Sequence, residues 1–177
     1  EGVITATVGT AMVLTSAISS MDECTDESLI VYRGIKENQY AILPLCSTAG
    51  AVFKWFKDQC SALVVEKAKE TGADPYDLLC EEAAGVAPGA DGVIHLPYFC
   101  GSLQPTLLPD AKGVFFGLGL TTNHASMTRA VLESIGYMSF AECASLTEID
   151  LPEANPTRVK TDLLQQEVQV EEMGGDV

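Results

Sequence analysis

The hydrophobic pattern of this chain changes period at Thr48, and that switch constrains the fold more than any other feature. On its N-terminal side lie short strand-like runs at 3–8, 12–17, 29–32 and 40–45, the first rich in β-branched residues. Gly9-Thr10-Ala11 divides the first two in a hairpin pattern, 19–28 is a polar and acidic loop, and 35–39 is a turn. From Thr48 onward Val52, Trp55, Phe56, Cys60, Leu63 and Val64 recur at helical spacing. Ser47 or Thr48 can cap this helix and Gly72 can end it. Asp74 and Pro75 have N-cap and first-position chemistry for a second helix reaching about Ala84.

A turn cluster at 88–92 precedes a strand-like run at 93–99. A long proline-punctuated loop then leads to a second extended run at 114–118. Asn123 caps a long helix running to about Ser145, with Met127, Ala130, Val131, Ser134, Ile135 and Met138 on one face. Pro152 and Pro156 bound a short loop, 157–165 reads as a helix and 168–170 as a strand. Strands, then helices, then a mixed region indicate an α/β or α+β architecture.

The length of 177 residues suits one domain, and 47% hydrophobic content can fill a core. A formal charge of −15 argues against a general nucleic-acid binder, which needs clustered Lys and Arg. Any anionic ligand must be held locally, by backbone N–H groups and helix N-termini. The six cysteines form no CxxC and no zinc-like cluster, so they are expected to be reduced, small buried hydrophobes in a cytosolic protein. No run reaches the ~18 apolar residues of a membrane span, and no basic signal-peptide start is present. The chain opens in strand-like sequence, and both ends are expected to continue in a longer protein.

Four segments, in order and spacing, carry a resemblance. They are "ATVGTAMVL" (6–14), "STAGAVFKWFKD" (47–58), "PGADGVIHLPYFCG" with "PDAKGVFFGL" (88–101 and 109–118), and "RAVLESIGYM" (129–138). Together they resemble the C-terminal domain of the FGGY carbohydrate kinases, the group of xylulokinases, ribulokinases, gluconokinases and glycerol kinases. The resemblance implies an actin-like ATPase (ribonuclease H-like) α/β domain with a mixed sheet and flanking helices. All of 1–177 would form that single domain. It also implies an enzyme of two domains that clamp ATP and a sugar and transfer the γ-phosphoryl group of Mg2+-bound ATP to a sugar hydroxyl. A xylulokinase-like member acting on a pentulose such as xylulose is expected. The expected partners are the sugar, ATP and the protein's own N-terminal domain, in a cytoplasmic enzyme that can form a homodimer, as is common in the family. No nucleic acid and no membrane are expected.

The resemblance also marks candidate nucleotide-binding residues. A glycine at a hairpin allows close backbone approach to an anion, and a Thr hydroxyl can donate to phosphate oxygens. Gly9 and Thr10 match the family's phosphate-contacting turn. Gly50 lies in the first turn of a helix, where free N–H groups and the dipole favour anions. Lys54, one turn further, stands where the family often has Gln. Both match positions that line the nucleotide site.

The long loop departs from the family. Gly101-Ser102-Leu103-Gln104-Pro105 replaces a common Gly-Glu-Arg-Thr-Pro, and Leu108 replaces a common Asp. The loop is therefore expected to be fixed by Pro105, Pro109 and leucine packing. His95 reads as a core histidine and His124 as part of a helix start. No catalytic base and no metal ligand is assigned here, because the family's sugar-activating Asp lies in the N-terminal domain. The family's glycine-rich adenosine loop is also lacking, since 145–155 contains no glycine. The domain is thus truncated by roughly twenty residues relative to the family, by the spacing of the segments that flank the gap. A non-catalytic binding or regulatory module that keeps the kinase fold is the alternative function.

Overall fold

A computed structural model describes residues 3–24, 29–104, 106–139 and, as backbone, 167–171. Strands β1 (Val3–Val8) and β2 (Met12–Ile18) form a hairpin whose closing pair is Val8↔Met12, leaving Gly9-Thr10-Ala11 as the loop. A 3-10 turn at Met21–Glu23 follows. Then come β3 (Val31–Arg33), β4 (Tyr40–Ile42) and β5 (Leu45–Cys46). The helices α1 (Ala49–Cys60), α2 (Ala62–Thr71) and α3 (Pro75–Ala84) succeed them. A second hairpin, β6 (Ile94–Leu96) with β7 (Val114–Phe116), precedes α4 (His124–Ser139), and β8 (Glu167–Glu171) returns to the first sheet.

The larger sheet has the order β3-β4-β2-β1-β8, with β5 paired to β2, and β6-β7 is separate. Every ladder among these strands is antiparallel. The change of period at Thr48 is thus a boundary between sheet and helices. The strand foreseen at 168–170 is present as β8. The helix foreseen at 157–165, the loop bounded by Pro152 and Pro156, and the end of the long helix beyond Ser139 lie outside the described residues.

The core is shared by four helices. Val52, Phe53 and Phe56 of α1 meet Val64 of α2, Leu79 of α3 and Val131 of α4. Local chemistry sets the boundaries. The Asp74 carboxylate accepts from the Tyr76 N–H at 2.8 Å with Pro75 at the first helical position, as its sequence required. Gly72 ends α2 at φ +73°, a left-handed conformation that favours glycine. Asn123 caps α4 by accepting from the Ser126 N–H at 2.9 Å.

The helix expected to run unbroken from Thr48 to Gly72 is two helices. Ser61 leaves helical geometry at φ −118°, ψ 36°, and its hydroxyl donates to the Phe56 carbonyl at 3.1 Å. That bend resets the helical phase beyond it, so Leu63, expected on the core face, is exposed while Val64 is buried; Trp55 and Cys60, also expected on the core face, lie before the bend on the outer side of α1 and are exposed as well. The cysteine expectation is also corrected. Cys46 is buried, but Cys60 and Cys100 are exposed, and Cys143 lies outside the described residues.

Candidate functional site

The Gly9-Thr10-Ala11 turn sits against the start of α1. The pairing of Met12 with Cys46 carries the chain past this turn into Thr48 and the helix. The carbonyl of Gly9 accepts from the Gly50 N–H at 3.0 Å, and that of Thr10 accepts from the Ala51 N–H at 3.2 Å. Two first-turn donors of α1 are therefore capped by the hairpin itself. Thr48 occupies the N-cap position, yet its hydroxyl donates to the Pro97 carbonyl at 2.5 Å instead of accepting from the helix. The expectation of a side-chain cap by Ser47 or Thr48 is corrected by that arrangement.

Three of the four candidate residues, Gly9, Thr10 and Gly50, are thus brought into one hydrogen-bonded unit. The Thr10 side chain is exposed. The Gly50 N–H is not free as expected, because the turn accepts it. What remains for an anion is the exposed face of the turn, backed by the positive end of the α1 dipole.

Lys54 lies four residues, ~6 Å of helix rise, beyond Gly50. Its side chain is 67% exposed and pairs with Asp58, which also receives Lys57. The Asp58 hydrogen bond and charge hold the Lys54 ammonium above its usual pKa, and both lysines hold Asp58 below the usual carboxylate range. Exposed i,i+4 pairs are weak, so exchange of Asp58 for a phosphate is energetically accessible.

The long loop between β6 and β7 is anchored to the same region by polar groups. Gln104, buried, accepts from the Leu45 N–H of β5 at 2.9 Å. The Ser102 hydroxyl donates to the Gln104 carbonyl at 2.8 Å, and Ser102 and Leu108 exchange two backbone hydrogen bonds at 2.9 and 2.8 Å. Leu103, Leu107 and Leu108 are exposed. Leucine packing is therefore not what fixes the loop; the buried amide and hydroxyl do. Pro105 lies outside the described residues. A cavity of about 10 Å³ between this loop and β5, lined by Cys46, Pro97, Tyr98 and Gln104, has room for a single water. It cannot take a sugar or a nucleotide.

His95 is the core residue its sequence suggested, 3% exposed, packed against Phe115 with ring centroids 4.6 Å apart. The Ser134 hydroxyl donates to the Val131 carbonyl at 2.7 Å, so its oxygen accepts from His95 Nδ1–H at 2.8 Å. Nε2 then carries the lone pair and has no partner. Burial pushes the imidazole pKa down to about 4.

His124 does more than begin a helix. Its Nδ1 lies 2.8 Å from the Glu82 carboxylate of α3, and its Nε2 lies 3.0 Å from the Ser61 hydroxyl at the α1–α2 bend. Its ring stacks on Phe56 at 5.3 Å. Sequence reading missed this link because its members are separated by 42 and 63 residues and share no local spacing. The Ser-His-Glu arrangement ties the α1–α2 bend to α3 and α4, and Ser61, 2% exposed, is presented to no substrate. Among the described residues no group of three or more His, Cys, Asp or Glu could hold a metal ion, and no helix is long and apolar enough to cross a membrane.

Comparison with known proteins finds relatives in sequence and in fold. The model of the FGGY family of carbohydrate kinases, C-terminal domain, matches residues 6–153. A gluconokinase of Bacillus licheniformis is 34% identical over 148 residues, 84% of this chain and 29% of that protein. A gluconokinase of Bacillus subtilis (strain 168) is 31% identical over the same shares. The chain thus spans under a third of the length of these curated relatives. The xylulose kinase from Rhodospirillum rubrum superposes with a TM-score of 0.64 at 26% identity, covering 80% of this chain and 26% of that one. The gluconate kinase from Lactobacillus acidophilus has the same TM-score at 23% identity, with 80% and 27% covered, a likeness of fold.

Proposed function

The chain belongs to the FGGY family of carbohydrate kinases, matching its C-terminal domain, and from that premise we propose that it supplies the nucleotide-side half of a kinase cleft. The observation that carries the reading is the junction of the Gly9-Thr10 turn with the first turn of α1. In it an exposed Thr10 is bonded through its carbonyl to the first turn of a helix.

In this reading the γ-phosphoryl group passes from ATP to a sugar hydroxyl, a reaction that depends on positioning and charge neutralisation. Thr10 donates its hydroxyl to a phosphate oxygen. Gly9 keeps the turn free of a side chain, so the nucleotide can approach the backbone. Gly50 holds the turn in place through the Gly9 carbonyl. Lys54 exchanges Asp58 for a phosphate. Mg2+ would arrive bound to the nucleotide phosphates. The general base and most sugar contacts belong to an N-terminal domain, which completes the enzyme in the cytoplasm.

A pentulose such as xylulose and the aldonate gluconate are the two acceptors to weigh. The gluconokinases, at 34% and 31% identity over 84% of the chain, favour gluconate. Calorimetric titration with Mg-ATP of the wild type and Thr10→Val tests the reading. Binding weakened by the substitution supports it. Absence of binding by a chain joined to its N-terminal domain favours a non-catalytic module instead. Rapid sugar phosphorylation by residues 1–177 alone would contradict the placement of the base in another domain.

A further inference from the structure

We propose that Gln104 is a positioning residue for the nucleotide site, holding the Gly9-Thr10 turn in place through β5. The inference rests on the phosphate reading of that turn and adds to it a side chain from the long loop. Both residues of β5, Leu45 and Cys46, pair with β2. Their partners, Val13 and Met12, come directly after Ala11 at the end of the turn. Just before β5, the Pro44 carbonyl accepts from the Leu14 N–H at 2.9 Å. Just after it the chain enters Thr48 and the first turn of α1, whose N–H groups hold the carbonyls of Gly9 and Thr10. The place of β5 therefore sets where the turn stands relative to the helix. Two residues are fewer than strands usually have, and so short a ladder holds weakly by itself.

Gln104 supplies the missing support. Its Oε1, not another strand, accepts the Leu45 N–H at 2.9 Å, and the residue is 5% exposed. A backbone donor in a buried setting needs such an acceptor, so the side chain and the strand are locked together. The loop that carries Gln104 is itself closed. Ser102 and Leu108 bond to each other through their backbones, and the Ser102 hydroxyl bonds to the Gln104 carbonyl. Gly101 sits at φ +77°, and a Cβ there would lie 2.6 Å from the Pro109 carbonyl oxygen, so glycine is what lets the loop fold on itself. Pro97, near the start of the same loop, accepts from the Thr48 hydroxyl. A stiff loop thus grips the junction of β5 and α1 at Leu45 and at Thr48, and the turn is mounted on that junction. Phosphoryl transfer depends on such mounting, since a misplacement of about 1 Å can cost roughly a hundredfold in rate.

Calorimetric titration with Mg-ATP of the chain joined to its N-terminal domain tests the proposal, in wild type, Thr10→Val, Gln104→Leu and the double variant. Gln104→Leu keeps the bulk and removes the acceptor, and should weaken binding about three- to tenfold, within the coupling range of one bonded network. In the Thr10→Val background it should cost almost nothing further, because it acts through the turn. A purely structural residue would cost the same in both backgrounds. Gln104→Glu keeps an acceptor for the Leu45 N–H and should recover most of the affinity. Wild-type affinity in Gln104→Leu, or an equal loss in both backgrounds, overturns the role of Gln104 and leaves Thr10 in the site. Absent binding by the wild type, or unaltered affinity in Thr10→Val, overturns the phosphate reading and this inference with it. If Gln104→Leu does not fold, NMR of the wild type decides. The Leu45 amide signal should move with that of Thr10 as Mg-ATP is added, and a stationary Leu45 beside a moving Thr10 overturns the proposal.

Discussion

The Gly50 N–H donates to the Gly9 carbonyl at 3.0 Å, which fastens the first sheet hairpin to the start of α1. Ala51 and Thr10 repeat the contact one residue on. Two donors that would otherwise be unpaired at a helix N-terminus become fixed points for a turn. The Thr10 side chain is thereby presented on a rigid base rather than on a free loop.

Thr48→Val should destabilise the chain by about 1–3 kcal/mol. The substitution keeps the shape but removes the donor to Pro97, leaving a buried carbonyl unpaired. Chemical denaturation checks this: a lower midpoint at constant slope is expected. Since the Thr48 hydroxyl does not cap α1, Thr48→Ser should retain most of the stability.

His95 makes folding stability dependent on pH. Its folded pKa of about 4 lies below the unfolded value of 6.5. Between these values the unfolded chain binds more protons than the folded one, so stability rises with pH across that window. The contribution is fully present above about pH 6.5, and falls by at most roughly 3 kcal/mol as the pH drops toward 4. Urea titrations across this range should show the loss. His95→Leu should abolish this component, because Ser134 retains Val131 as its acceptor.

His124→Ala should cost about 1–3 kcal/mol by releasing the α1–α2 bend from α3. Ser61 keeps its bond to Phe56 in the variant, which limits the loss. Glu82→Gln retains an acceptor for Nδ1–H and should cost less. Hydrogen exchange of α2 amides reads the loosening directly, with faster exchange in His124→Ala than in Glu82→Gln.

Lys54→Ala should leave Tm unchanged, because its partner Asp58 keeps Lys57 and the pair is exposed. The variant should bind Mg-ATP several-fold more weakly, on the scale of one lost charge-assisted contact. Calorimetry separates the two effects. Unaltered affinity would remove Lys54 from the nucleotide site.

The parts of this fold that depend on neighbours in sequence were legible in advance. The β1–β2 hairpin, the Asp74-Pro75 helix start, the Gly72 stop and the Asn123 cap each follow from chemistry within four residues. The bend at Ser61 was not legible, since it rests on a hydroxyl turned back to Phe56 and on His124 far along the chain. The anchoring of the long loop by Gln104 was hidden for the same reason, its partner lying 59 residues away. In the candidate site, Gly9, Thr10 and Gly50 were foreseen as separate residues. Their bonding to one another, which consumes the Gly50 N–H, needed the packed structure.

The most direct test of the central claim is an NMR titration of the 15N-labelled chain with Mg-ATP at millimolar concentration. The amide signals of Gly9, Thr10 and Ala11 should move together with those of Gly50 and Ala51, and Thr10→Val should reduce these shifts. Shifts confined to other parts of the chain, or an equal response in Thr10→Val, would contradict a phosphate site at this turn.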